Sequence, residues 1–323
     1  MSRSGQPLDN RLADALARLA LPGHVPVGGG TDLFAAGGES QPHAPIRVEV
    51  GGLPELLGIT TLPDGGLRIG AACSLDDIAN HALVRDGYPM LAAACAQAAP
   101  PSLRATATLG GNVAQRPRCA YFRANVRCHK NGGTTCPAVH GENPHHAILE
   151  GGPCWMVHPS DPAVALVALD ATMELGSATA SRTVPASAFF VLPSARLDRE
   201  SVLQGDEMLF AATLPAQSRG GMQRFTKRGV DDASYGDGVS LAVAHRTDGE
   251  ARLVLGGVAP RPYRVYTSVE EEAVSGGLDD ETIDGLAERA LLDAEPLAGN
   301  GYRVDLAAGL LRDAIREIAA TRQ

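Results

Sequence analysis

Apolar residues fall at Leu8, Leu12, Leu16 and Leu19 with charged residues between them, the period of a helix with one buried face, and Pro22-Gly23 ends it. His24-Val25-Pro26-Val27 predicts a short strand running into Gly28-Gly29-Gly30-Thr31-Asp32-Leu33, and residues 46–50 predict another. Residues 53–57 read as one helical turn. Gly58-Ile59-Thr60-Thr61 and Leu67-Arg68-Ile69-Gly70 alternate like paired strands about the Pro63-Asp64-Gly65-Gly66 turn. Ser74 is placed to cap a helix whose first turn holds Asp76 and Asp77, where the helix dipole favours acids. Residues 89–98 form an Ala-rich helix stopped by Pro100-Pro101.

Beyond Ala171 the pattern shortens. MELGSATASRTVP and SAFFVL read as strands with turns, and GDEMLF leads into a further strand that stops at Pro215. Gln217-Ser218-Arg219-Gly220-Gly221 has the composition of a linker. GVSLAVAHR and RLVLGGVAPRP predict strands, and residues 280–293 and 304–320 carry helical periods. A sheet backed by helices satisfies that order, and with Gly 37 and Pro 22 in 323 residues the expected class is α+β or α/β with many short elements, not a helical bundle.

Charge narrows the function. Lys+Arg 28 against Asp+Glu 37 leaves a net charge of −9, and no basic run offers a surface to nucleic acid. No stretch of about 18 apolar residues is present, and the N-terminus lacks a charged segment followed by an apolar one, so neither a membrane span nor an export signal is expected.

Two stretches carry chemistry. Consecutive glycines let the backbone turn tightly and present successive N–H groups, an arrangement that can hold a pyrophosphate, with Thr31 and Asp32 adding polar groups. A triple glycine is commonly no more than a turn, and Leu33 stands where a G-x-G-x-x-G fingerprint beginning at Gly28 needs glycine. The second stretch holds Cys119, Cys128, Cys136 and Cys154, four of the six cysteines, in a 36-residue window. Their clustering favours metal or cluster ligation over a disulfide framework. The spacings C-x8-C, C-x7-C and C-x17-C lack the close pairs of a structural zinc site and the compact runs of ferredoxins, so iron–sulfur, zinc and unligated thiols stay open on spacing alone. His129, His140, His145, His146 and His158 accompany them and are read as part of a polar loop. Cys73 and Cys95, in Ala-rich surroundings, are read as buried free thiols.

Five motifs in order, VGGGTDL, RATATLGGNVAQRPRCAYF, HPSDPAVALVALDA, FTKRGVDDASY and LGGVAPRPYR, resemble the flavin subunit of the molybdenum hydroxylases, the xanthine dehydrogenase and aldehyde oxidoreductase superfamily, over nearly the whole chain. The cysteine insert resembles that of the [4Fe–4S]-containing flavin subunit of bacterial periplasmic aldehyde oxidoreductase. The 4-hydroxybenzoyl-CoA reductase β subunit also carries a cluster-binding insert.

The resemblance implies an α+β fold. A vanillyl-alcohol-oxidase-type FAD-binding domain of two α/β lobes would span residues 1–216, with lobe 1 about 1–57, lobe 2 about 58–216 and a [4Fe–4S] insert at 116–158. A CO-dehydrogenase-flavoprotein-like α+β domain would span 222–323. It implies that Val27, Gly28, Gly29, Gly30, Thr31, Asp32 and Leu33 hold the FAD pyrophosphate. Thr108, Gly111 and Asn112 would make a second phosphate and ribityl contact, Ser160 and Asp161 would stand at the ribityl or adenosine hydroxyls, and Lys227 beside the isoalloxazine. Cys119, Cys128, Cys136 and Cys154 match the four cluster ligands in order.

Two departures stand out. Gly28 replaces the family's usual Ala, and FAAGGESQPH lacks the usual Leu-Met-Lys type of sequence. With no His or Cys in the Gly28–Asp32 loop, the flavin is expected to be non-covalent.

The implied role is electron transfer within a heterotrimer. A large molybdenum-cofactor subunit would oxidise an aldehyde or heterocycle, a small subunit with two [2Fe–2S] centres would relay the electrons, and this chain would pass them to an external acceptor. No catalytic residue beyond the flavin is expected here. The compartment would be cytoplasmic, or periplasmic by co-export with a signal-bearing partner. The alternatives are a stand-alone flavin oxidase or dehydrogenase with a zinc-bound loop, and a non-enzymatic zinc-stapled binding module.

Overall fold

The computed structural model describes residues 10–35, 45–229 and 238–321. Helix α1 (Asn10–Leu19) buries Leu12, Ala15, Leu16 and Leu19, the face its period predicts, against β1 (His24–Val27) and the core beside it. The expected turn at the glycines is tight, and Thr31 then starts α2 (Thr31–Ala35). Gly30 has φ +68, a left-handed conformation that suits glycine. Strand β2 (Ile46–Glu49) pairs in parallel with β1, His24 opposite Ile46 and Val27 opposite Glu49.

The Pro63–Gly66 turn joins β3 (Ile59–Thr61) to β4 (Leu67–Gly70) antiparallel, as the alternation predicts. Ser74 caps α3 (Leu75–Asn80), its Oγ accepting from the Asp77 N–H at 2.9 Å. There follow α4 (Ala82–Gly87), α5 (Pro89–Gln97), α6 (Pro101–Arg104), α7 (Leu109–Val113), α8 (Ala120–Arg123) and α9 (Asp161–Ala168). Then come β5 (Thr172–Gly176), β6 (Ser181–Pro185) and β7 (Met208–Leu214). The five strands form one antiparallel sheet in the order β3-β4-β7-β5-β6. SAFFVL, expected to be a strand, begins inside a 3-10 turn (Ala186–Ala188) and pairs only through an isolated bridge from Phe190 to Ser201. Phe189 and Phe190 are neighbours in sequence yet both point into the core, in edge-to-face contact at 5.1 Å, which a pleated strand with alternating faces does not allow.

The linker is pinned in place. Ser218 is buried and donates to the Leu169 carbonyl at 2.9 Å, and Gly220 and Gly221 both have positive φ. Four antiparallel strands follow, β8 (Met222–Arg228), β9 (Val239–His245), β10 (Ala251–Gly256) and β11 (Tyr263–Arg264), in the order β11-β10-β9-β8. Helices α10 (Thr267–Ala273), α11 (Asp280–Ala290) and α12 (Tyr302–Ala320) close the chain.

The period of two along β9 and β10 divides this sheet between two cores. Leu241, Val243, Leu253 and Leu255 pack on α10–α12. Ala242, Ala244 and Val254 turn the other way, into the core formed by α5, α9 and the five-stranded sheet. Small side chains on that second face let α9 come close, and a Cβ on Gly256 would collide with Val164. The C-terminal sheet is therefore an integral wall of the first core. Among the described residues no helix is long and apolar enough to cross a membrane.

Leu91 lies on α5 where it is fully buried among these elements. Leu91→Ala is expected to cost about 3 kcal/mol through lost burial and the cavity left behind, read as a lower denaturant midpoint at unchanged slope.

Candidate functional site

Two sites meet at the start of the cysteine insert. The first is a cleft of about 1200 Å³, bounded on one side by β1, the glycine loop and the start of α2, and on another by Thr108, Gly110, Gly111, Asn112 and Gln115. Residues 198–199 and 203–209 form a further wall. This exceeds the usual 300–1000 Å³ of small-ligand pockets and suits a dinucleotide-sized molecule.

The glycine loop is shaped by what lies under it. A Cβ on Gly29 would run into the Thr106 carbonyl, and one on Gly28 into the Thr108 hydroxyl. Thr108 caps α7, its Oγ1 accepting from the Gly111 N–H at 3.2 Å. The two glycine-containing motifs thus touch through backbone and one small side chain, which leaves the open side of the loop to a ligand. The full set Val27, Gly28, Gly29, Gly30, Thr31, Asp32, Leu33, Thr108, Gly111 and Asn112 lines this single cleft.

Ser160, Asp161 and Lys227 do not line it. Ser160 stands behind Asn112, donating from Oγ to Asn112 Oδ1 at 2.6 Å while accepting from the Ala163 N–H as the cap of α9. Asp161 is buried and receives Lys227 Nζ at 2.7 Å. Burial pushes its carboxyl upward, and the Lys227 ammonium pulls it back. Ser160 and Asp161 border a small separate cavity with His158, Gly257 and Arg303. Part of the FTKRGVDDASY motif, residues 230–235, and most of the segment after Leu33, residues 36–44, lie outside the described residues.

The second site is a small cavity lined by Cys119, Cys128, Cys136 and Cys154 together with Tyr121, Phe122, Lys130 and Met156. Residues up to 35 apart in sequence are brought to one space by short turns at 120–123, 129–131 and 137–139. Among the described residues no group of three or more His, Cys, Asp or Glu is placed to hold a metal ion. Burial pushes the Cys119 thiol up, and that of Cys154 to about 11, with Lys130 opposing the shift at Cys154. His146 Nε2 lies 3.4 Å from Cys119 Sγ. Cys73 and Cys95 are buried free thiols elsewhere, as expected.

Sequence reasoning missed the cations of the cleft. Arg116, Arg118 and Arg199 border it. The available signal was the Arg116-Pro117-Arg118 run shortly after Asn112. It also missed the contacts between the two sites. Arg123 Nη2 donates to Asp32 Oδ1 at 2.7 Å, and the Arg116 N–H to Asp32 Oδ2 at 3.3 Å. Glu200, buried, takes Lys130 Nζ and Arg116 Nε at 2.7 and 2.8 Å.

Residues 9–217 match the FAD binding domain in molybdopterin dehydrogenase, and residues 222–318 the CO dehydrogenase flavoprotein C-terminal domain. The chain is 33% identical over 314 residues to the aldehyde oxidoreductase FAD-binding subunit PaoB of Escherichia coli strain K12, covering 95% of each chain. It is 28% identical over 320 residues to the xanthine dehydrogenase FAD-binding subunit of Escherichia coli O157:H7, covering 96% of this chain and 94% of the relative. A chain of the carbon monoxide dehydrogenase from Hydrogenophaga pseudoflava shares the fold, with a TM-score of 0.69 at 21% identity over 95% of this chain and 94% of that one.

His158, buried edge-on to Phe190 at 4.7 Å, has its pKa lowered to about 4 by burial. The unfolded chain takes up this proton near pH 6.5 while the folded chain resists until about 4. Stability is therefore complete above pH 6.5 and falls as the pH drops through that window, by up to about 3 kcal/mol. His158→Gln is expected to flatten that part of the curve in denaturant titrations at several pH values.

Proposed function

We propose that this chain, which belongs to the FAD-binding subunits of the molybdenum-hydroxylase-type oxidoreductases, is an electron-transfer subunit carrying FAD and a [4Fe–4S] cluster. In this reading it receives electrons that a molybdenum subunit withdraws from an aldehyde or a related heterocycle, by way of a [2Fe–2S] subunit, and hands them to an external acceptor. The observation that carries the reading is the adjacency of a dinucleotide-sized cleft and a cavity lined by four cysteines, joined by the Arg123–Asp32 ion pair.

The cleft fits FAD on its own terms. Its glycine loop is packed from beneath so closely that side chains are excluded, leaving backbone N–H groups for the pyrophosphate. Arg116 and Arg118 add positive charge at the same wall. Asn112, steadied by Ser160, offers an amide to ribityl hydroxyls. Asp161 and Lys227 neutralise one another behind Asn112 at the start of α9. FAD would supply the conversion between one-electron and two-electron transfer.

The cysteine cavity also fits its group. Four thiols lining one small cavity are the donor set that a [4Fe–4S] cube takes. Thiols held up by burial ionise when a bound cation compensates the charge. A cluster would supply one-electron storage. The cysteine spacing, without the close pairs of a structural zinc site, favours the cluster over the zinc brace.

The native complex is expected to show flavin absorbance, with about four iron atoms and as many acid-labile sulfides per chain. Cys136→Ser should lower the iron content markedly. Flavin without iron, or zinc in its place, would overturn the cluster assignment, and a colourless complex the whole reading.

A further inference from the structure

We infer that the cysteine insert is a strut that sets the two walls of the flavin cleft, with Arg123 as the positioning residue for the pyrophosphate loop; this rests on the assignment of the cleft to FAD. Asp32 stands in the loop meant for an anion, where an uncompensated carboxylate repels the pyrophosphate. Arg123 caps it with Nη2 at 2.7 Å from Oδ1 and Nη1 at 3.4 Å from the Asp32 carbonyl. The guanidinium is itself fixed, Nε donating to the Pro117 carbonyl at 2.7 Å and Nη2 to the Arg116 carbonyl at 3.0 Å. Both ion-pair side chains are largely covered, 17% and 26% exposed, so solvent screens them only in part.

The insert reaches the wall at residues 198–209 through a second anchor. Lys130, 1% exposed, joins Glu200 at 2.7 Å and the Leu197 carbonyl at 3.1 Å, immediately before Asp198 and Arg199 at the cleft. Arg116 completes the bridge, meeting Asp32 with its N–H and Glu200 with its guanidinium. Arg123 and Lys130 follow Cys119 and Cys128 by four and two residues, so the thiol-lined cavity is the base from which both anchors extend. Neither wall has another part of the insert in a comparable ionic contact among the described residues.

The test measures FAD dissociation from the full chain in its native complex, by recovery of free-flavin fluorescence, with iron content measured in parallel. Arg123→Met and Glu200→Gln are each expected to raise the FAD Kd, Arg123→Met by about tenfold or more, at unchanged iron content. Adding Asp32→Asn to Arg123→Met is expected to recover part of that loss, because it removes the exposed carboxylate. A purely structural contact would give no such recovery. Either single variant binding FAD within twofold of the unaltered chain, or an Asp32→Asn/Arg123→Met pair no better than Arg123→Met, overturns the strut. Failure of the unaltered chain to bind FAD would instead overturn the flavin assignment.

Discussion

The complete burial of α9 is the constraint on which the molecule's organisation depends. All eight residues from Asp161 to Ala168 are buried, touching α5 and α7 on one side and β9 and β10 on the other. A helix with no exposed face has no water for its N-terminal groups, so its polar ends must be matched internally. Ser160 matches the Ala163 N–H, and Asp161 is tolerated because Lys227 arrives from β8. Both domains thereby share the same helix.

That burial also explains where the cysteine insert can sit. It leaves the chain after Asn112 and returns at Ser160, and those two side chains are hydrogen-bonded at 2.6 Å. The insert is consequently a closed loop with its ends pinched together. Its far part is gripped by the C-terminal domain: Asn300 Nδ2 donates to the His146 and Ala147 carbonyls, and Arg303 and Tyr302 to that of Pro144. Ile148 and Leu149 join the core of α10–α12. A thiol cavity built from loop turns can be rigid only with such external support, since the turns themselves bury little apolar surface.

Charge is used at close quarters in a chain of net charge −9. Several cations near the cleft and the thiols have a carboxylate neighbour that tempers them: Arg123 with Asp32, and Lys130 and Arg116 with Glu200. Overall acidity and a locally cationic cleft are compatible because these pairs act over a few ångströms.

Local patterns determined much of this protein from sequence alone. The α1 face, the β3–β4 hairpin, the Ser74 cap, the glycine turn and the membership of four cysteines in one group were legible because each depends on residues near in sequence or on a fixed period. SAFFVL was misread because period and composition do not record that two adjacent phenylalanines both find core partners. The bridges from Arg123 to Asp32 and from Lys130 to Glu200, 91 and 70 residues apart, were decided only by the tertiary structure. Charged side chains of this kind look like ordinary surface residues in a sequence; what distinguishes them is the low-dielectric setting that packing creates around them.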